Sequence, residues 1–465
     1  MKYTNNSKKT GRVASSVLFA LLSVLFVSCS QEEFLPQETT ALQFVVSDFP
    51  AFQNSSPKLG EVPQAEGSVL TRAIGIQDEG KTAWENGDQI IVTLISQKYG
   101  EQAAALTYNG SSWSTEASLS YLENETPSVS VFYAPCYEVT EEGTMQLRSG
   151  MQLGMTEYLS GNYEMDNGIM TITFEGAIRD YSRLRIAGLA NQTLTVTTTN
   201  FTPARVNNSS PESGEVPQAE GSVTYTLTTD NNGNAFLYGV FAEDATVIVK
   251  QGNVVLKDYI FTAEKNPNGT EHNKSYALDA RPVIDGTLGG KATVTKEEVN
   301  ALVEQLKEYV DNGITTIIVP GTEYAMYKSN LGTIPAFAEA LYLLTDLNED
   351  SPYCGTIDLI LPDATEIIDF SFDSADALKS ITLPKVTTVG DGAFYGCYYL
   401  QTITFGSVVT AINHNTKAEF HWVGKKVEGC DLVLNREQVN AEADYQPNIE
   451  TSTWWNTEWK SITLK

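Results

Sequence analysis

Histidine and cysteine are scarce in this sequence of 465 residues. It contains 3 His and 5 Cys, and no two cysteines have the CxxC spacing. These numbers do not favour a metal site of His and Cys ligands, a Ser/His/Asp triad or a disulfide framework. We therefore expect no metal, no cofactor, no catalytic residue and no enzymatic function. Carboxylates are abundant, so an acid pair of the glycosidase type stays open, but the sequence singles out no pair.

Basic residues are also few, with 30 Lys+Arg against 58 Asp+Glu and a net charge of -28. A surface of this charge repels polyanions, so bulk electrostatics argues against nucleic acid or anionic lipid as a partner. Hydrophobic residues make up 42% of the chain, which excludes general disorder. At about 150 residues per domain, the length predicts three domains.

The N-terminus combines a basic segment with a short apolar run. Residues 1–12 include four basic residues and no acid, and Val17–Val27 is apolar except for Ser23. A helix of this length, with a rise of about 1.5 Å per residue, cannot cross a hydrocarbon core of roughly 30 Å. We therefore predict that residues 1–28 are a signal peptide.

The apolar run ends in Phe26-Val27-Ser28-Cys29, which resembles a bacterial lipobox. The resemblance implies that the Cys29 thiol is lipidated and becomes the mature N-terminus, while an ordinary cleavage site beside an incidental cysteine is the alternative. The next residues, Ser30-Gln31-Glu32-Glu33, resemble the signal that sends Bacteroidota lipoproteins to the outer face of the outer membrane. These features imply a surface-exposed protein, anchored in the membrane by its lipid through a tether of residues 29–40.

Residues 41–283 are predicted to be mainly β. Short runs of alternating or apolar residues are bounded by turn residues, as in serial β-sandwiches. The clearest runs are Leu42–Val46, Gln89–Ile95, Val129–Tyr133, Ile169–Phe174, Thr193–Thr197 and Ala235–Phe241. Asn54–Val69 and Asn208–Val223 are identical at 14 of 16 positions and rich in Pro, Gly, Ser and Glu, so we interpret both as exposed loops. The repeat favours two related modules.

Several short motifs in this half resemble fimbrillin-like surface proteins. They are Thr71-Arg72-Ala73, the segment WENGDQIIV at 84–92, VFYAP at 131–135, NGNAFLYG at 232–239 and KSYAL at 274–278. The resemblance implies two β-sandwich domains in series, at 41–188 and 189–283, in proteins that serve as pilus subunits or as their tip and anchor relatives. It also implies possible proteolytic processing after Arg72. We favour an uncut, tethered monomer, with a fimbrial tip subunit as the alternative.

The chain then changes character. Residues 284–294 are rich in Gly and are interpreted as a linker. Thr295 and Glu298 form a capping box, and apolar residues at helical spacing predict a helix over 295–312. A second helix is predicted from Pro335 to Leu347.

Apolar positions recur every 22 residues after the second helix. Leu361, Leu383 and Phe405 share one column, and Phe372 with Phe394 shares another. A period of 20 to 29 residues with apolar columns predicts a leucine-rich solenoid. The segments ALKSITLP and GAFYGCYYL resemble the BspA-type leucine-rich repeat. We therefore predict a leucine-rich-repeat domain over residues 295–465, with a helical cap at its start.

Aromatic residues cluster near the end of the chain. The candidates for ligand contact are Trp454, Trp455, Trp459, Tyr395, Tyr398 and Tyr399. They could bind a protein surface or a sugar ring, but bulky groups are also what a solenoid needs to cover its last turn. The predicted function is adhesion to a host or bacterial surface protein through the repeat domain. The alternative is a glycan-binding lipoprotein of a polysaccharide-uptake system.

Overall fold

The structure of the protein is a computed structural model. It describes residues 42–50, 58–59, 81, 83–122, 125–166, 168–174, 179–206, 221–262, 269–330, 332–346, 348–413 and 419–465. All of them fall in one compact unit that spans Thr40–Lys465. The predicted signal peptide, Cys29, the tether, Arg72 and nearly all of the two repeated loops lie outside the described residues.

Short strands separated by turns make up the first part of the chain. In chain order they are β1 (Gln43–Val46), β2 (Lys58–Leu59), β3 (Gln89–Ser96), β4 (Gly100–Tyr108), β5 (Trp113–Ser114), β6 (Ser128–Tyr133), β7 (Tyr137–Val139), β8 (Met145–Leu147), β9 (Leu159–Asp166) and β10 (Ile169–Thr173). Seven of them form one sheet in the order β1-β10-β9-β6-β3-β4-β5, and β7 pairs with β8. Strand β1 is parallel to β10, whereas the other pairs in this sheet are antiparallel.

Strands of the first sheet have apolar residues that point to the same side, and these residues form the core of this part of the chain. Trp84 packs against this core with its ring 4.8 Å from the Phe49 ring and 5.3 Å from the Tyr133 ring. Its indole nitrogen donates a hydrogen bond of 2.7 Å to the Ser47 carbonyl. The aromatic cluster therefore fixes the segment around β1 to the rest of the sheet.

A second sheet follows. Its further strands are β11 (Ser182–Ala187), β12 (Thr193–Pro203), β13 (Ser222–Thr228), β14 (Asn234–Gln251), β15 (Val254–Ile260) and β16 (Ser275–Asp279). The order is β13-β12-β14-β11-β16-β2, with β15 paired to β14. The long strand β14 pairs with β11 over its first residues and with β15 over its last. Gly239 lets β14 pass close to its neighbour, since a Cβ atom there would lie 2.3 Å from the Phe201 ring.

Two sequence-based boundaries in this region need correction. Strand β11, assigned from the sequence to the module 41–188, pairs with β14 and β16 in the second sheet. Strand β2 precedes both modules in the chain, yet it also joins the second sheet, beside β16. All residues of β11 are buried, so its sequence does not show which of the two cores the strand belongs to. The boundary between the sheets therefore falls between Thr173 and Ser182.

The predicted linker at 284–294 is also not a free spacer. Ile284 is buried, and its amide donates to the Ile318 carbonyl at 2.9 Å. Thr293 forms an isolated bridge with Met326. Besides its glycines, the stretch contains residues such as Ile284 and Thr293, whose backbones pair with the domain that follows. The connection is therefore part of the next domain.

Two α-helices are present in the described part of the chain, α1 (Lys296–Asp311) and α2 (Ala336–Leu343). The capping box is confirmed, because Thr295 accepts from the Glu298 amide and the Glu298 carboxylate accepts from the Thr295 amide. Helix α2 is shorter than the predicted 335–347, and Asp346 already has a left-handed φ of 52°. Arg436–Asn440 and Ala443–Tyr445 are 3-10 helices.

The solenoid is built from very short strands. They are β17 (Thr316–Ile318), β18 (Met326–Lys328), β19 (Thr333–Pro335), β20 (Ile357–Ile360), β21 (Glu366–Ile367), β22 (Leu378–Leu383), β23 (Thr388–Val389), β24 (Thr402–Phe405), β25 (Ala411–Ile412), β26 (Asp431–Leu434), β27 (Thr453–Trp454), β28 (Thr457–Glu458) and β29 (Ser461–Leu464). A six-stranded parallel sheet has the order β17-β20-β22-β24-β26-β29, and a second sheet has the order β21-β23-β25.

The predicted period is present in this region. Leu383 is paired with Phe405 across neighbouring strands, and the Phe372 and Phe394 rings stack at 5.6 Å. Phe420 continues the stack at 5.7 Å from Phe394, although it lies 26 residues later rather than 22. The chain is therefore mainly β, with a repeat solenoid and a few helices, as predicted.

Candidate functional site

The outer surface of the six-stranded sheet carries two rows of short side chains. One row contains Asp358, Ser380, Thr402, Asp431 and Ser461, and the other contains Ile360, Thr382, Thr404, Val433 and Thr463. The parallel register brings these residues side by side at about the 4.8 Å spacing of neighbouring strands. We call this surface the sheet face.

Hydrogen bonds hold several side chains of the sheet face in place. Ser380 donates to the Asp358 carboxylate at 2.6 Å, and Ser461 donates to Asp431 at 2.7 Å. Lys379 lies 3.6 Å from Asp358 at the border of the face. Because its side chains are short, the sheet face is flat. The first row is polar and held by hydrogen bonds, whereas the second row combines three threonines with the apolar Ile360 and Val433.

A second surface lies on the turns that lead into β24 and β26. Its members are Tyr395, Tyr398, His421 and Trp422, which we call the aromatic platform. The Trp422 ring lies 5.2 Å from Tyr395, 6.1 Å from Tyr398 and 4.6 Å from His421. Trp422 is 39% exposed, so the platform presents an aromatic surface to solvent. The Lys425 ammonium lies 5.1 Å from the centre of the Trp422 ring.

Trp422 and His421 were missed by the sequence reasoning, although a signal was available. Residues 393–396 read AFYG, and residues 419–422 read EFHW. Phe394 and Phe420 are equivalent in the stack, which makes Trp422 the counterpart of Gly396. The strict 22-residue period concealed this match because the intervening turn is longer.

Tyr399 does not belong to the aromatic platform. Its hydroxyl donates to the Glu349 carbonyl at 2.7 Å, beside a Lys426–Glu349 ion pair at 2.5 Å. The nearby Asp376 carboxylate accepts from the Tyr398 amide at 3.1 Å. Burial raises the pKa of Asp376 to about 6, while the hydrogen bond from Tyr398 opposes this shift. The hydrogen bond from Tyr399 to the Glu349 carbonyl therefore joins two segments of the solenoid.

The three C-terminal tryptophans serve mainly as a cover for the last turns. Trp454 and Trp459 are 1% and 4% exposed and belong to the solenoid core, so their assignment as ligand contacts is corrected. Trp455 is half-buried and stacks on Tyr445 at 5.3 Å. The end of the solenoid needs bulky apolar groups because no further turn covers it within the described residues.

A cavity of about 760 Å³ is lined by residues of the first two sheets. Glu157 and Arg183 lie in its wall and are both buried. Burial raises the pKa of Glu157, although the Arg179 guanidinium 3.0 Å away opposes this effect. Arg179 also donates to the Pro50 carbonyl at 2.8 Å, and Arg183 donates to Ser275 at 2.9 Å. These charges join chain segments to one another, which gives the cavity wall a structural role.

Three of the four described cysteines have the properties of core residues, and the fourth, Cys354, is half-buried. Cys136, Cys397 and Cys430 are buried thiols, and burial raises the pKa of each above its ordinary value. A raised pKa leaves little thiolate, so these groups are poor nucleophiles. Among the described residues, no group of three His, Cys, Asp or Glu side chains could hold a metal ion.

Two predicted site residues, Cys29 and Arg72, lie outside the described residues. Within the described part of the chain, no helix has the length and apolar character needed to cross a membrane.

Comparison with known proteins identifies the repeat region. Residues 353–420 match the model of the BspA type leucine rich repeat region. No curated protein sequence matches the chain. Among solved structures, the chain is similar to a proposed cell adhesion protein from Bacteroides fragilis NCTC 9343. This similarity has a TM-score of 0.26 and 11% sequence identity, and it covers 51% of this chain and 92% of that one.

Proposed function

We propose that this protein is a surface-exposed lipoprotein of the outer membrane that acts in adhesion, with its leucine-rich repeat region binding a protein on a host or bacterial surface. The sheet face is the observation that carries the proposal. Its two rows of short side chains, with hydrogen bonds between neighbours in the first row, form a flat surface that a protein partner can approach closely. Shape complementarity of this kind is what protein interfaces require.

The sheet face can be tested by adding bulk at its centre. Thr404 lies in the second row and is half-buried, so Thr404→Arg introduces a long charged side chain without disturbing the core. Beads coated with the full chain should adhere to cells that carry the partner, and the Thr404→Arg variant should adhere at least tenfold less. Asn300→Arg, on the exposed side of α1, is the matched control. Equal adhesion of both variants would contradict the proposal.

The anchor and the fimbrillin-like resemblance belong to the same proposal. Strands β1 and β2 both precede Arg72, and they lie at the edges of the first and second sheets. A cut after Arg72 would detach both edge strands from the rest of the chain, along with Phe49, whose ring packs against Trp84 and Tyr133. These contacts hold the segment before Arg72 in the uncut chain. We favour the uncut, tethered monomer, with a processed fimbrial tip subunit as the alternative that the next experiment tests.

Mass spectrometry of the surface-extracted protein tests anchor and processing together. We expect an N-terminus at Cys29 carrying fatty acid, and Cys29→Ala should abolish the fatty acid and release the protein from membranes. A mature N-terminus at Ala73 would exclude the tethered monomer. Fatty acid retained by the Cys29→Ala variant would exclude lipidation at this residue.

A further inference from the structure

One backbone position repeats in successive turns of the solenoid. Ser374, Gly396 and Trp422 have φ angles of 53°, 67° and 65°, all in the left-handed region. The Ser374 amide donates to the Tyr395 carbonyl, and the Gly396 amide donates to the His421 carbonyl, so each turn holds the next in the same way. The turn therefore requires this conformation, which glycine adopts most readily.

Trp422 is an unfavourable residue for that position. A bulky side chain at positive φ is a genuine outlier, and such strain is concentrated at functional sites. Burial does not compensate here, because 39% of Trp422 is exposed. Phe370 and Trp455 also have left-handed φ angles, but both are half-buried. Trp422 differs from them in its exposure, which leaves part of its ring available to a ligand.

The neighbours of Trp422 define what its ring can bind. Tyr395 and Tyr398 extend the aromatic surface, and His421 borders it. The exposed Lys425 ammonium lies 5.1 Å from the centre of the Trp422 ring and is a hydrogen-bond donor. A single exposed indole edged by hydroxyl, imidazole and ammonium groups matches a pyranose, which has an apolar C–H face and hydroxyls around its rim. A protein hot spot instead needs a wider desolvated area around its anchors.

Charge restricts the class of sugar. The chain carries a net charge of -28, and Glu349 and Asp376 lie on the turns near the platform. Both carboxylates act on Tyr398 electrostatically, and the Lys426 ammonium, which pairs with Glu349, opposes them. The net charge of the whole chain would repel an acidic polysaccharide, whereas it would not repel a neutral one.

We propose that the aromatic platform binds a neutral hexose unit of a glycan, with the sugar ring on Trp422. This inference goes beyond the proposed adhesion function, because it concerns a different surface and a different ligand. The sequence-based alternative of glycan binding named Tyr395, Tyr398, Tyr399, Trp454, Trp455 and Trp459. Of these, Trp454 and Trp459 are core residues, and Trp422 was not among them.

Affinity electrophoresis of the full chain through gels containing mannan, dextran or galactan tests the proposal, with polygalacturonate as the acidic control. At least one neutral polysaccharide should retard the protein, and polygalacturonate should not. Trp422→Gly restores the residue that the previous turn uses, so it should retain the fold while weakening binding at least tenfold. Trp422→Phe keeps an aromatic ring and should remain within a few-fold of the original affinity.

The following results would contradict the proposed binding of a neutral sugar. The proposal is overturned if none of the neutral polysaccharides retards the full chain, or if Trp422→Gly binds as well as the original protein. Trp422→Asn provides a second test, because Asn also tolerates the left-handed conformation. The Thr404→Arg variant should bind the polysaccharide normally, so failure of the adhesion proposal would leave this one standing. Loss of protein adhesion in Trp422→Gly without any polysaccharide binding would also overturn it.

Discussion

The two sheets of the first half and the solenoid of the second half obtain their order in different ways. In the first sheet, Phe44 pairs with Met170, and Leu59 of β2 pairs with Leu278 in the second sheet. In the solenoid, Ser380 pairs with Thr402, only 22 residues later, and this step is repeated. Contacts between distant residues make a sheet stable only as a whole, whereas a solenoid turn depends on its immediate neighbours. A destabilising substitution should therefore affect the whole of a sheet in the first half, but mainly the neighbouring turns in the solenoid.

The largest effect is expected from Phe394→Ala. Phe394 is fully buried, and its ring lies between Phe372 and Phe420 in the stack. Removal of a buried phenyl group costs about 3 to 5 kcal/mol of unfolding free energy. Hydrogen exchange followed by mass spectrometry should show lost protection in the solenoid peptides, while peptides of β3 and β4 remain protected.

Phe236→Ala is the control for this comparison, because Phe236 is half-buried and lies in the second sheet. It should leave the protection of the solenoid unchanged. If Phe394→Ala exposes the first sheet as much as the solenoid, the two regions form one cooperative unit and the contrast is wrong.

Helix α1 sharpens the comparison, because it lies where the regions meet. Its residues Leu302 and Leu306 belong to the solenoid core, and that core also includes Val254 of the second sheet. The Asn253 amide donates to the Asn312 side chain at 2.9 Å, just after the helix. The helix therefore covers the first turns and also contacts the second sheet.

Leu306→Ala is the next largest expected effect. Leu306 is 1% exposed, so its truncation should lower the unfolding free energy by about 2 to 5 kcal/mol. Urea unfolding monitored by tryptophan fluorescence provides the measurement, and Glu308→Ala on the solvent side of the same helix is the control. An unshifted midpoint for Leu306→Ala would show that the helix does not cap the solenoid.

The same contrast explains which parts of the fold the sequence could predict. A repeated turn places equivalent residues at a constant spacing, so the Phe372 and Phe394 stack was predictable from the sequence. The capping box at Thr295 is equally local. The pairing of β2 with β16 has no local signal, because two residues of extended chain are compatible with many partners. The same holds for β11, which is buried along its whole length.

The candidate surfaces were only partly predictable for a related reason. Tyr395 and Tyr398 belong to a regular repeat and were found, whereas Trp422 follows a longer turn and was not. Aromatic composition alone could not separate the core residue Trp454 from the displayed residue Trp422, since exposure depends on which turn covers each ring.

The smallest expected effect concerns Asp376, and it tests whether side chains also form contacts between residues one repeat of 22 residues apart. The Asp376 carboxylate accepts from the Tyr398 amide, which lies 22 residues later, and burial raises the pKa of this carboxyl to about 6. Since its ordinary pKa is about 4, the folded state binds the proton more tightly, and stability falls as the pH rises from about 4 to 6. Asp376→Asn removes the charge but keeps an oxygen acceptor. Because Asp376 is about half buried, solvent screening limits the gain at pH 7 to no more than about 1 kcal/mol.

Thermal unfolding of the Asp376→Asn variant across pH 4 to 8 provides the measurement. The variant should be more stable than the original protein at pH 7, and the difference should become small near pH 4, where the folded carboxyl is protonated and the unfolded one is about half protonated. Asp350→Asn, at an exposed position on a nearby turn, controls for the general loss of one negative charge from an acidic protein. If both variants gain the same stability at every pH, the effect comes from net charge, and Asp376 has no particular role in joining successive turns.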